Sequence, residues 1–168
     1  ASQLMRHDAL GAHARDELSD PLKLALPLKH GVTVIAAHIA TTGESAGQDN
    51  FERILPLFKA YPNLYTDISS LTQINRLGFL VNALKVPGLT EHMLYGTDWP
   101  LQHFPLVSPW FHVNHIGVGN ARRVARIDNE WDRDVALKRA LGVPDDVFTR
   151  TVGILANHRG VLINEESE

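Results

Sequence analysis

At 168 residues the chain has room for one domain and no clear room for two. Its make-up, 44% hydrophobic and 21% charged, is that of an ordinary globular protein and argues against disorder and coiled coil. A net charge of -3 is too near neutral for a nucleic-acid binder, and the absence of cysteine removes disulfides and thiolate metal sites.

No apolar run approaches the roughly 20 residues a membrane span needs, and Ala1–Arg6 has no apolar core of signal-peptide type. These features lead us to expect a cytoplasmic protein with neither membrane nor nucleic acid as partner. The basic run Ala121–Arg126 is short and reads as a solvated helix face.

Residues 1–20 form a polar, irregular lead-in that holds His7 and His13, with a helical turn or two expected over 12–18. Leu22 to His30 reads as a helix that Pro27 interrupts, and Gly31 supplies the turn into a strand. That strand, 32–37, is apolar on both faces, as a parallel strand covered on both sides must be. Ile39 to Gln48 reads as a loop. Asp49 with Glu52 then caps a helix whose buried face is Phe51, Ile54, Leu55 and Phe58, bent at Pro56.

A second strand runs from Asn63 to Thr66, and a helix with Ile74, Leu77, Leu80, Val81 and Leu84 leads to Pro87-Gly88. The third strand, from Met93, ends at Gly96-Thr97-Asp98-Trp99-Pro100, where proline stops it. Residues 101–120 read as loop. Two closing helices are expected, one from Glu130 to Leu141 and one from Pro144 that buries Val147, Phe148, Thr151, Val152 and Leu155. Residues 162–168 are a frayed acidic tail.

The three strand-like runs end on His38, Asp67 and Asp98 and recur about every 30 residues, the rhythm of βα units in a parallel sheet. In such sheets chemistry sits beyond the C-terminal ends of the strands. His38 suits a metal ligand or proton shuttle, or a polar strand-end residue satisfied by a neighbouring loop. Asp98 suits a metal ligand that also takes a proton from an activated water, or the cap of the next turn. Asp67 reads as a cap or as a residue that orients a neighbour, and His103 lies close enough in sequence to Asp98 to reach substrate. His92 falls at the far end of its strand and reads as a surface residue. His112 and His115, three apart, have a spacing that suits metal ligands on a helix, in a stretch that does not read as one. Neither a phosphate loop nor a Gly-x-Ser-x-Gly elbow occurs.

Val34-Ile35-Ala36-Ala37-His38, Tyr61-Pro62-Asn63-Leu64-Tyr65-Thr66-Asp67-Ile68-Ser69 and Leu94-Tyr95-Gly96-Thr97-Asp98-Trp99-Pro100 together resemble the later part of metal-dependent amidohydrolases. The branch they resemble also contains metal-dependent decarboxylases. Trp131-Asp132-Arg133-Asp134 and Leu141-Gly142-Val143-Pro144 fit the tail of such proteins, so the likeness spans residues 20–155. It implies a (β/α)8 barrel with a divalent metal, zinc foremost, at its C-terminal mouth. Counting back from Asp98 as the eighth-strand aspartate puts Asp67 on the seventh strand and His38 on the sixth. The resemblance thus makes His38 and Asp98 metal ligands and catalytic groups; Asp67 and His103, from their places in the sequence, are expected to support them.

A barrel of this kind needs about 250 residues, and no His-x-His of the first-strand type occurs here. We therefore expect an α/β chain that forms part of a barrel, with about three parallel strands, flanking helices and a C-terminal helical pair. The expected function is that of a metal-dependent hydrolase in which activated water attacks a small-molecule carbonyl at a C–N or C–O bond, the chain by itself being incomplete. A decarboxylase of the same fold, or a non-catalytic half-barrel that self-associates or pairs with a complementing N-terminal half, are the alternatives.

Overall fold

A computed structural model of the protein describes residues 20–41, 43–99 and 106–156. The lead-in with His7 and His13, the turn expected at 12–18, Pro100, His103 and the acidic tail lie outside the described residues. Five short strands occur among those described: β1 (Val34–Ala36), β2 (Glu44–Ser45), β3 (Gln48–Asp49), β4 (Leu64–Asp67) and β5 (Met93–Leu94). The helices are α1 (Ala25–Lys29), α2 (Asn50–Ala60), α3 (Phe79–Leu84), α4 (Val113–Ala125) and α5 (Glu130–Ala140).

β1, β4 and β5 form one parallel sheet in the order β1-β4-β5, with Val34 opposite Leu64, Ala36 opposite Thr66 and Asp67 opposite Leu94. The chain is therefore α/β, and its three expected strands lie side by side. The core joins Val34, Ala36, Leu64 and Met93 of the sheet to Ile54, Leu57 and Phe58 of α2 and Leu80 and Ala83 of α3. A smaller cluster, Ile116, Ala121, Val124 and Leu137, holds α4 against α5. No helix among the described residues is long and apolar enough to cross a membrane.

Local chemistry explains most boundaries. Asp20 caps a 3-10 turn, Pro21–Leu24, by accepting from the Leu22 amide at 3.0 Å, and the Arg53 guanidinium of α2 grips the same carboxylate at 2.7 and 3.3 Å. The turn runs directly into α1, which carries Pro27 as its third residue, so the helical stretch continues through the proline to Lys29. Asp49 caps α2 through the Phe51 amide at 2.7 Å, and Asn129 caps α5 through the Trp131 and Asp132 amides. Asn63, just before β4, reaches back to the carbonyls of Leu28 and Val32 at 3.1 and 2.8 Å, which fixes the approach to β1.

Several expectations require correction. The stretch 39–48 is not plain loop but contains the β2–β3 hairpin. The helix expected from Ile74 is broken: a 3-10 turn covers Ile74–Arg76, and α3 starts only after Gly78, whose φ of 88° ends any continuous helix. Ile74 and Leu77 are exposed as a result. Residues 101–120 are not all loop, because Pro109–His112 form a 3-10 turn that feeds α4. Gly117, with φ 75°, kinks α4, and with Gly119 it dilutes the helical apolar period that would have announced it. Near the C-terminus Val147 is fully buried, whereas Val152 and Leu155, in the helical stretch 150–156, are exposed. His92 is no surface residue: Nδ1 lies 2.6 Å from the Leu64 carbonyl, and the ring packs near Phe58 and Tyr65.

Replacing Asn63 with Ala removes two bonds to half-buried carbonyls and should lower stability by about 1–3 kcal/mol. The urea midpoint should fall with an unchanged slope, and an unchanged midpoint would show that this link carries no weight.

Candidate functional site

The sheet brings the ends of β1, β4 and β5 together. Beyond β1 the chain makes a tight turn in which His38, Ile39 and Ala40 all have positive φ, between 52° and 54°. For residues with a Cβ this conformation costs roughly 1–2 kcal/mol each. The end of β4 holds the turn in place. The Thr66 hydroxyl donates to the Ala36 carbonyl at 2.7 Å and accepts the Ile39 amide at 3.0 Å. Asp67 accepts the His38 amide at 3.2 Å, and the Ile39 side chain is fully buried beneath.

Asp67 is the junction of the site. Its Oδ1 also accepts the Ser69 amide at 3.0 Å and the Ser69 hydroxyl. Burial pushes the Asp67 carboxyl up, but hydrogen bonds from His38 and Ser69 outweigh it and hold the group below the ordinary carboxylate range.

The His38 ring is oriented by the same partners. Nδ1 lies 3.1 Å from the Ser69 carbonyl, 2.8 Å from the Ser69 hydroxyl and 3.4 Å from Asp67 Oδ1. A carbonyl and a carboxylate only accept, so in the neutral ring the proton sits on Nδ1. Nε2 then carries the lone pair, and it faces Asp98 Oδ2 at 3.9 Å. A lone pair and a carboxylate set opposite each other form a place for a cation, whether a proton or a metal ion.

Asp98 follows β5 and itself has a φ of 56°. The Ser70 hydroxyl donates to its Oδ2, and Gln73 Nε2 donates to Ser70 at 3.3 Å. Ser70 is likewise left-handed, at φ 58°. Both partners thus carry left-handed backbone, a strain that clusters at functional sites. Gly96 packs closely here: an added Cβ would lie 3.3 Å from the Asp67 Cβ, a tight contact, and 3.4 Å from the Ser69 Cβ.

His38, Asp67 and Asp98 thus meet. Ser69 and Ser70 complete the group without having been singled out in the sequence, and their signal was their place directly after a strand ending in aspartate. His112 and His115 do not form a metal pair. His112 is buried, with Nε2 2.9 Å from the Thr72 carbonyl, and burial lowers its pKa, whereas His115 is exposed. Among the described residues no group of three or more His, Cys, Asp or Glu side chains could hold a metal ion. His38 and Asp98 offer two donors.

Two outcomes follow. Ala at Gly96 should crowd Asp67 and Ser69 and lower stability by about 1–3 kcal/mol, with the largest amide shifts at 67–70; an unperturbed spectrum would contradict the packing. Because the folded pKa of Asp67 is depressed, its contribution is complete above its ordinary value, about 4, and is lost as pH falls through the lower folded value. Stability against urea should therefore fall less steeply below about pH 4 in Asp67→Asn than in wild type, and parallel acid limbs would count against the assignment.

No family model, curated protein or solved structure matches the chain.

Proposed function

We propose that this chain carries one arc of the active site of a metal-dependent hydrolase of the amidohydrolase type, acting on a small-molecule carbonyl at a C–N or C–O bond. The observation that carries the reading is the His38 Nε2 lone pair facing Asp98 Oδ2 at 3.9 Å, at the mouth of adjacent parallel strands. Two further features support it. The strand order β1-β4-β5 is what three consecutive strands of a (β/α)8 barrel would have, with the site at their C-terminal ends. The residues on those ends are also the ones that resemble amidohydrolases.

The donor set fits part of a divalent metal shell, zinc foremost. His38 Nδ1 is fixed by Ser69 and Asp67, which is how a ligating histidine is normally oriented, and its free nitrogen faces a carboxylate. His38 Nε2 and Asp98 Oδ2 are the atoms that would hold the ion. A catalytic zinc takes three protein ligands, and the rest of the shell must come from outside the described residues or from a second chain.

A bound ion would supply Lewis acidity toward the carbonyl and make a nearby water easier to deprotonate. The residues do the remainder. Asp98, held by Ser70, takes a proton from the attacking water and returns it to the leaving nitrogen or oxygen. Ser69, itself held by Asp67, keeps the His38 proton on Nδ1, so that Nε2 keeps its lone pair.

The test is zinc binding to the purified chain by calorimetry and by metal analysis after dialysis. Wild type should retain zinc, while His38→Ala and Asp98→Asn, folded by circular dichroism, should bind at least about tenfold more weakly. Absence of binding by wild type, or equal binding by the variants, would overturn the metal reading.

A further inference from the structure

α5 turns one face toward the segment that follows β5. Trp131, Asp134 and Lys138 lie at positions i, i+3 and i+7, which fall on one side of a helix. Each meets a different point of that segment. The Trp131 indole stacks on Trp99, ring centres 5.0 Å apart and planes 26° from parallel. Asp134 Oδ2 accepts the Tyr95 hydroxyl at 3.0 Å. Lys138 Nζ donates to Asp134 at 2.8 Å and to the Gly96 carbonyl at 3.3 Å, and lies 4.9 Å above the Tyr95 ring. Residues 95, 96 and 99 are thereby pinned, and Asp98 falls between the pins.

The same pair reaches the other wall of the site. The second oxygen of Asp134 lies 3.4 Å from the Thr72 hydroxyl, and His112 Nε2 meets the Thr72 carbonyl. Thr72 stands two residues beyond Ser70, the residue that holds Asp98. One buried ion pair therefore links the segment carrying Asp98 to the turn carrying its hydrogen-bond donor.

Lys138 is fully buried and Asp134 nearly so. Removing two charges from water costs several kcal/mol per ion, and an apolar pair would fill the space at least as favourably for stability alone. Among the described residues, the groups this pair binds outside its own helix belong to the two segments at the site: Tyr95, Gly96 and Thr72. Burial, and after it the charge of Asp134, pushes the Tyr95 phenol above its ordinary pKa, so it stays a donor.

We propose that the Trp131–Asp134–Lys138 face of α5 is a positioning brace that holds the Tyr95–Trp99 segment so that Asp98 stands opposite His38. Its bearing on catalysis rests on the metal-hydrolase reading of Asp98, whereas its test does not. These residues sit behind the carboxylate and are positioning residues.

The experiment is backbone NMR relaxation and Cα shifts on the full chain, with wild type compared against two variants. Asp134→Asn combined with Lys138→Met removes both charges together, so that neither is stranded. Trp131→Ala removes only the half-exposed stack and leaves the buried pair, which keeps the test open should the double variant fail to fold. The account predicts wild-type order parameters at 96–98 near 0.85, falling below about 0.6 in the variants, with the left-handed Asp98 shifts lost and residues 64–67 unchanged. Order at 96–98 retained in a folded variant, or lost equally at 64–67, would reduce the cluster to ordinary core and overturn the proposal. Zinc binding measured alongside separates this result from the metal reading, which fails if wild type binds none or if His38→Ala and Asp98→Asn bind as tightly as wild type.

Discussion

Three hydrogen bonds converge on one oxygen of Asp67, from the His38 amide, the Ser69 amide and the Ser69 hydroxyl, and the site is organised around that convergence. The carboxylate is the last residue of the central strand, so whatever it binds is referenced to the most constrained part of the sheet. Through the His38 amide it holds the end of β1 in a conformation that strand would not keep alone. Through Ser69 it sets the ring of His38. Gly96, packed against both Asp67 and Ser69, brings in the end of β5. Charge-assisted hydrogen bonds are about twice as strong as neutral ones, and here they offset left-handed backbone at His38 and its neighbours.

The arrangement is layered. At its centre His38 Nε2 and Asp98 Oδ2 face each other. Around them, Asp67, Ser69 and Ser70 fix tautomer and rotamer. Further back, the buried Lys138–Asp134 pair ties the backbone at Gly96 to Thr72. The first two layers use short side chains at or just beyond strand ends, and the third comes from α5.

Much of this plan was legible in the sequence, and the physical reasons are specific. Apolar runs that stop abruptly at His38, Asp67 and Asp98 announce parallel strands and the polar residues at their ends, and α5 is announced by Lys138 and Arg139 in its last turn and Gly142 just after it. The kinked α4 was hidden by its glycines, and the β2–β3 hairpin by its length of two residues per strand. Lys138 looked like an ordinary basic residue in the last turn of a helix. Its burial depends on Tyr95, Gly96 and Asp134 arriving from elsewhere in the fold, which no local pattern encodes. Ser69 and Ser70 do not stand out in the sequence because serine after a strand is common, and only their contacts with His38 and Asp98 distinguish them.

The central claim is that the strand ends fix His38 with its proton on Nδ1 and its lone pair directed at Asp98. Long-range nitrogen–proton NMR of the selectively labelled ring tests it most directly, at a pH where the imidazole is neutral. The account predicts a single tautomer, Nδ1 protonated and Nε2 bare, with added zinc shifting Nε2 alone. A ring protonated on Nε2, or one averaging between tautomers as an exposed histidine does, would contradict it.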